Sequence, residues 1–268
     1  WIELARQFPD QVMAENAAGY AADVLNQSVM QSVEGAPQKY RELMELLLEK
    51  YPTSDATDSN RYRYAVEFLM PDEAYEKAHD VLQAVPLGHP DYQLARREML
   101  NCLERIFRRT EGEGSRAEAL RLWREATESA LVQAERQSKE SPNDLTIRLW
   151  QAECLMSLAE IASINGNVEQ AITRLDQVLE LVGGVEDPAM VDMQREALGQ
   201  QIVAFAAAER FDEAVELART MMEQFSDDAA FIIGNVVDDL AAEVTELTSR
   251  IPVERVQARR DEMIERRR

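Results

Sequence analysis

Residues 158–182 read LAEIASINGNVEQAITRLDQVLELV. The stretch holds two helical rhythms broken by a short polar turn. Ahead of the turn, Ile147, Trp150, Cys154, Leu158 and Ile161 recur every three or four residues, the pattern of one helical face. Beyond Asn165-Gly166-Asn167, Ala171, Leu175 and Val178 repeat the pattern. Two amphipathic helices joined this closely fold back on each other to bury both apolar faces. Where their backbones approach, a small residue is needed, and Ala171 is the candidate. Residues 205–221 repeat the arrangement: Phe205 and Ala208, a turn at Glu209-Arg210-Phe211, then Ala214, Ala218 and Met221.

Working outward, helix ends recur along the chain. An apolar pair four apart is followed by a breaker at Leu4-Phe8-Pro9, Leu47-Tyr51-Pro52, Val81-Val85-Pro86, Val178-Val182-Gly183 and Met221-Phe225-Ser226. The breakers stand 43 residues apart (9 to 52), then 34 (52 to 86), and 43 again (183 to 226). Asp72-Glu73-Ala74, Glu169-Gln170-Ala171 and Asp212-Glu213-Ala214 each put an alanine twelve residues before the breaker. Start signals agree: Ser115 with Glu118 reads as a capping box, and Ser141-Pro142, followed by Asp144, reads as a hydroxyl cap before a proline. No alternating run of β-branched and aromatic residues bounded by turn residues marks a strand.

These features resemble the tetratricopeptide repeat: a large and a small residue on the first helix, a tight polar turn, and an acidic-acidic-alanine start to the second. The resemblance is clearest over residues 155–226 and weaker over 37–86. It implies an all-α fold, an α-solenoid of stacked antiparallel helix hairpins, with about five hairpins plus partial terminal repeats, and it implies protein or peptide partners.

The expected elements are a helix tail at 1–8, then hairpins 10–32 with 37–51, 56–69 with 72–85, 89–110 with 115–140, 141–165 with 167–182, and 187–209 with 211–225. A helix over 228–250 and a charged terminal helix from Pro252 to Arg268 follow, the latter suited to a solvent-facing cap. Residues 1–268 are read as a single domain. The tail at 1–8 reads as the second half of a hairpin, so the chain is expected to be a piece of a longer array. The long uninterrupted helix over 115–140 is read as one long hairpin arm, with a join between sub-arrays as the alternative.

Composition fits this class. Among 268 residues, 46% are apolar and 29% charged, with only 10 glycines and 9 prolines, which is globular and not turn-rich. The net charge of −21 argues against nucleic acid, whose binders need a basic footprint, and against anionic membrane surfaces. The uncharged run Ala197 to Ala208 falls short of the ~18 apolar residues of a membrane span, so no membrane insertion is expected. Cys102 and Cys154 form no disulfide framework and fall on apolar stripes; the reading leans toward a reducing compartment, cytoplasmic before periplasmic or cell envelope. The excess of arginine (25) over lysine (4) fits a GC-rich, bacterial genome.

Signals of chemistry are weak. Gly112-Glu113-Gly114-Ser115-Arg116-Ala117 matches a loose dinucleotide fingerprint but follows a helix where a strand is required. His79 and His89 lack ligand spacing and no CxxC or HExxH accompanies them, so no metal or cofactor is expected. No GxSxG supports a serine nucleophile. Asp227-Asp228 and Asp238-Asp239 lack calcium-loop spacing. Asn26-Gln27-Ser28 has the form of a glycosylation triplet but lies within an expected helix.

Two charge features stand out. Residues 211–250 carry ten acids against Arg219 and Arg250. On the first helices of two adjacent hairpins gather Arg61, Arg63, Arg96, Arg97, Arg105, Arg108 and Arg109. They read either as intrahelical partners, for example Glu104 with Arg108, or as a groove segment for an acidic or C-terminal carboxylate peptide. The function expected is a non-catalytic protein–protein interaction scaffold. The alternative is the repeat or regulatory portion of a larger enzyme or signalling regulator.

Overall fold

The computed structural model describes residues 2–7 and 12–225. Among these the secondary structure is helical throughout: α1 Ile2–Gln7, α2 Val12–Met30, α3 Ala36–Lys50, α4 Asp55–Tyr64 running on into a π turn at Ala65–Leu69, α5 Tyr75–Gln83, α6 Tyr92–Arg109, α7 Glu113–Glu140, α8 Leu145–Ile164, α9 Val168–Val182, α10 Pro188–Ala207 and α11 Phe211–Gln224. The helix expected over 228–250, the terminal helix from Pro252, both aspartate pairs, and Phe8-Pro9 lie outside the described residues. The chain divides into two compact units, Trp1–Ala130 and Leu131–Arg268, at a point within α7.

In the second unit α8 packs on α9, α9 on α10, and α10 on α11, while α8 also touches α10. Neighbour and next-but-one contacts of this kind are those of tandem hairpins. The residues that mark the repeat are inside: Trp150, Cys154, Ile161, Ala171, Leu175, Val178 and Val182 are buried, as are Ala214 and Met221. In the first unit α2 packs on α3 and α4, and α5 on α6 and the π turn. Tyr40, Leu43, Met44, Leu47, Tyr64, Phe68 and Leu82 share one core there. Tyr40 and Phe68 stack with centroids 5.1 Å apart. The Tyr40 hydroxyl donates to Asn60 Oδ1 at 2.8 Å, which satisfies the polar end of a buried ring. Burial pushes the Tyr40 hydroxyl pKa well above its ordinary value. Farther along, Phe107 of α6 meets Trp123 of α7 with centroids 5.9 Å apart.

Three of the hairpin turns share one backbone. At Glu73, Gly166 and Glu209 φ is +58, +73 and +61°. The next residue's N–H reaches back five positions: Ala74 to the Leu69 carbonyl at 2.9 Å, Asn167 to Ala162 at 2.8 Å, Arg210 to Phe205 at 2.9 Å. A shorter bond closes inside each, from Glu73 to Met70, Gly166 to Ser163 and Glu209 to Ala206. This is a Schellman ending, which satisfies carbonyls that the helix leaves open. The donor residue then serves as N-cap of the following helix, with φ, ψ of −81, 55° at Ala74, −89, 61° at Asn167 and −89, 57° at Arg210.

That shared turn corrects one expectation. Asp72-Glu73-Ala74 is not the start of a helix: it is the end of one turn, and α5 begins at Tyr75. Counted from the cap, the small residue is the fourth helical position in each case: Ala78 after Ala74, Ala171 after Asn167, Ala214 after Arg210. Ala78 is fully buried, whereas Ala74 is only half-buried. The fixed distance to the breaker fails here because α5, at 9 residues, is shorter than α9 at 15.

Three further starts and stops differ from the sequence reading. The helix expected to be regular over 56–69 widens at Ala65–Leu69, where Met70 N–H donates five residues back to Ala65. Helix α7 begins at Glu113, so Ser115 lies inside it and not at its cap. Asp144, not Ser141, caps α8, accepting from Thr146 N–H at 2.9 Å and Ile147 N–H at 3.3 Å. Asp187 caps α10 in the same way.

Candidate interaction surface

The arginines on α4 and α6 are placed as follows. Arg61 is buried, its Nε donating to Asp58 Oδ1 at 3.0 Å and a terminal nitrogen to the Pro52 carbonyl. Arg63 Nε donates to Glu67 at 2.8 Å. Arg96 closes the C-terminal end of α5, donating to the carbonyls of Gln83 at 3.0 Å and Val85 at 3.2 Å, with its guanidinium 4.6 Å from the Tyr92 ring centre. Arg108 pairs with Glu104 at 2.6 Å, the intrahelical partner expected from spacing. Arg109 reaches the Glu73 carbonyl at 2.6 Å and Glu76 at 3.0 Å. Arg96 and Arg109 therefore fasten α6 to α5. Arg97 is half-buried and Arg105 is exposed. Tyr62 of α4 lies within the field of Asp91, Arg97 and Glu98 at the start of α6; burial first, then Glu98 and Asp91, raises its pKa.

A second feature of the first-helix face was not singled out from the sequence. Between α2 and α4 runs a groove of about 320 Å³ lined by Glu15, Asn16, Gly19, Tyr20, Asp23, Asp55, Ala56, Ser59 and Asn60. Its floor is a close helix crossing: a β-carbon placed on Gly19 would stand 3.2 Å from the Ala56 β-carbon. Beneath it Asn60 is satisfied by Tyr40 and by the Ala56 carbonyl, to which it donates at 2.8 Å.

Helix α2 explains the groove. Its buried face is alanine: Ala14, Ala17, Ala18, Ala21 and Ala22. Small residues inside let α2 sit close to its neighbours. Leu25 and Val29 pack against the core, but three larger apolar side chains point out: Met13 is 74% exposed, Tyr20 69% and Val24 59%. A heptad and then a half-heptad separate them, which puts them on one face. That spacing was the available signal; it passes unnoticed because the alanine run satisfies the same helical periodicity.

The histidines occupy ordinary positions. His89 Nδ1 accepts from the Asp91 N–H at 3.1 Å, and His79 Nδ1 lies 3.2 Å from Asp80. Among the described residues no group of three or more histidine, cysteine and acidic side chains is arranged to hold a metal ion, and no helix is long and apolar enough to cross a membrane. Gly112 is a left-handed turn residue ahead of α7, with φ +87°.

No protein-family model matches the chain, and no curated protein matches it in sequence. Among solved structures, a tetratricopeptide-repeat protein of Thermus thermophilus is similar over 82% of this chain and 99% of its own, with 16% identity and a TM-score of 0.46.

Proposed function

We propose that the chain is a non-catalytic interaction scaffold that holds a protein or peptide partner on the face made by the first helices of its N-terminal hairpins. The observation that carries this reading is the exposed side of α2 with the groove it forms against α4. Large apolar side chains are usually spent on the core; here five alanines occupy most of the core face, and Met13, Tyr20 and Val24 are presented outward. Such anchors carry most of the affinity of a protein interface. Arg105, exposed on α6, supplies a cationic group by which an acidic or carboxylate group of a partner would be met. Repeat proteins of stacked hairpins use extended surfaces in this way.

The test is capture of partners by the whole immobilised chain, followed by calorimetric titration with each purified partner. The expected result is saturable binding that survives EDTA, weakens with salt, and falls in an Arg105→Glu variant. A chain that binds none of the purified candidates saturably, or that turns over a substrate by itself, would overturn the proposal.

A further inference from the structure

We infer that the α2/α4 groove accepts a basic segment with apolar side chains, a cationic amphipathic stretch of a protein partner. This rests on the scaffold reading and deepens it by fixing the partner's chemistry at one place. Three observations converge. The first is charge: Glu15, Asp23 and Asp55 line the groove, and its lining includes no lysine, arginine or histidine. Helix α2 has no basic residue along its length. The second is the apolar component: Tyr20, 69% exposed, stands in the groove wall with Ala56. The third is the floor: Gly19 and Ala56 let the helices touch there, and Asn16 and Ser59 in the lining offer hydrogen-bonding groups to a backbone.

The physical sequence of recognition follows from these parts. The acidic rim attracts a cationic segment and orients it. Tyr20 then buries against its apolar side chains, and water leaves the floor of the groove beside Gly19 and Ala56. An acidic or purely polar peptide would meet either like charge or unmatched apolar surface.

The probe is a short labelled peptide of alternating lysine and leucine, titrated into the whole chain and followed by fluorescence anisotropy. Its comparators alternate lysine with serine and glutamate with leucine. The lysine–leucine peptide is expected to bind, and Asp23→Lys/Asp55→Lys to weaken it by about tenfold or more, as for charges facing a partner. Glu113→Lys/Glu128→Lys on α7, in the same unit but outside the groove lining, makes the same change in net charge and is expected to change affinity by less than about twofold. Tyr20→Ala, which leaves charge unaltered, is expected to cost about fivefold to tenfold. Circular dichroism confirms that each variant is folded. Equal weakening by both charge-reversal pairs, equal binding of the lysine–serine or glutamate–leucine peptide, or no binding at all would overturn the assignment. So would sedimentation showing a dimer of the chain that Tyr20→Asp dissociates, because a second copy would then occupy the face. These outcomes concern the groove alone: a partner that is captured by the wild-type chain and still binds Asp23→Lys/Asp55→Lys leaves the scaffold reading standing.

Discussion

Replacing Glu209 by glycine should stabilise the α10/α11 hairpin. Glu209 holds φ at +61°, and its side chain is exposed. An L-residue in the left-handed region costs about 1–2 kcal/mol, while glycine loses more freedom on folding, by roughly 0.5–1 kcal/mol. The difference leaves a gain of about 0.5–1 kcal/mol. Glu73, at φ +58°, should behave alike in the first unit, because it is the Glu73 carbonyl and not the side chain that accepts from Arg109. Gly166 is the reverse control. Its φ is +73° with open space where a β-carbon would stand, so Gly166→Ala costs only the backbone strain, about 1 kcal/mol. Urea unfolding followed by tryptophan fluorescence measures all three through the midpoint at unchanged slope. A midpoint lowered by Glu209→Gly, or raised by Gly166→Ala, would refute the claim that these turns are one structure.

Other outcomes follow from single contacts. Asp144→Ala and Asp187→Ala each remove a carboxylate accepting from two backbone N–H groups and should cost about 1 kcal/mol in urea unfolding. Tyr40→Phe leaves Asn60 Oδ1 buried without its donor and should cost about 1–3 kcal/mol. Burial pushes the Cys102 thiol up to about 12, so it should resist a thiol reagent at pH 8 and react only on unfolding; the sign is that its neutral form is favoured in the folded state, and stability falls as pH rises above the ordinary thiol range.

Most helix boundaries were legible because the forces that set them are local. Pro188 after Asp187 starts α10, and Tyr51, Val182 and Phe225 stand near the helix stops expected from their apolar pairs and breakers. The failures are at places where geometry decides between several local signals. Asp72-Glu73-Ala74 has the composition of a helix start, yet Glu73 takes a left-handed turn, which composition does not announce. The π turn at Ala65–Leu69 follows from fitting Tyr64, Phe68 and Leu69 together into one core, a tertiary demand absent from the local pattern. The arginine row was legible as residues but not as roles. Whether Arg96 faces a ligand or the end of α5 depends on where Val85 stops, and tertiary packing sets its carbonyl 3.2 Å away. The α2 groove was hidden for a different reason: an alanine face and a methionine–tyrosine–valine face share one period, and volume alone decides which is buried.

Closure by a small residue at the fourth position of the second helix defines three hairpins, α4/α5, α8/α9 and α10/α11, through Ala78, Ala171 and Ala214. The comparison of Ala78→Leu with Ala74→Leu in urea unfolding tests it most directly. Ala78 is fully buried at that position, so the larger side chain should overpack the crossing and cost about 1–3 kcal/mol. Ala74, the half-buried cap, should change stability by no more than about 0.5 kcal/mol. The opposite order would contradict the account.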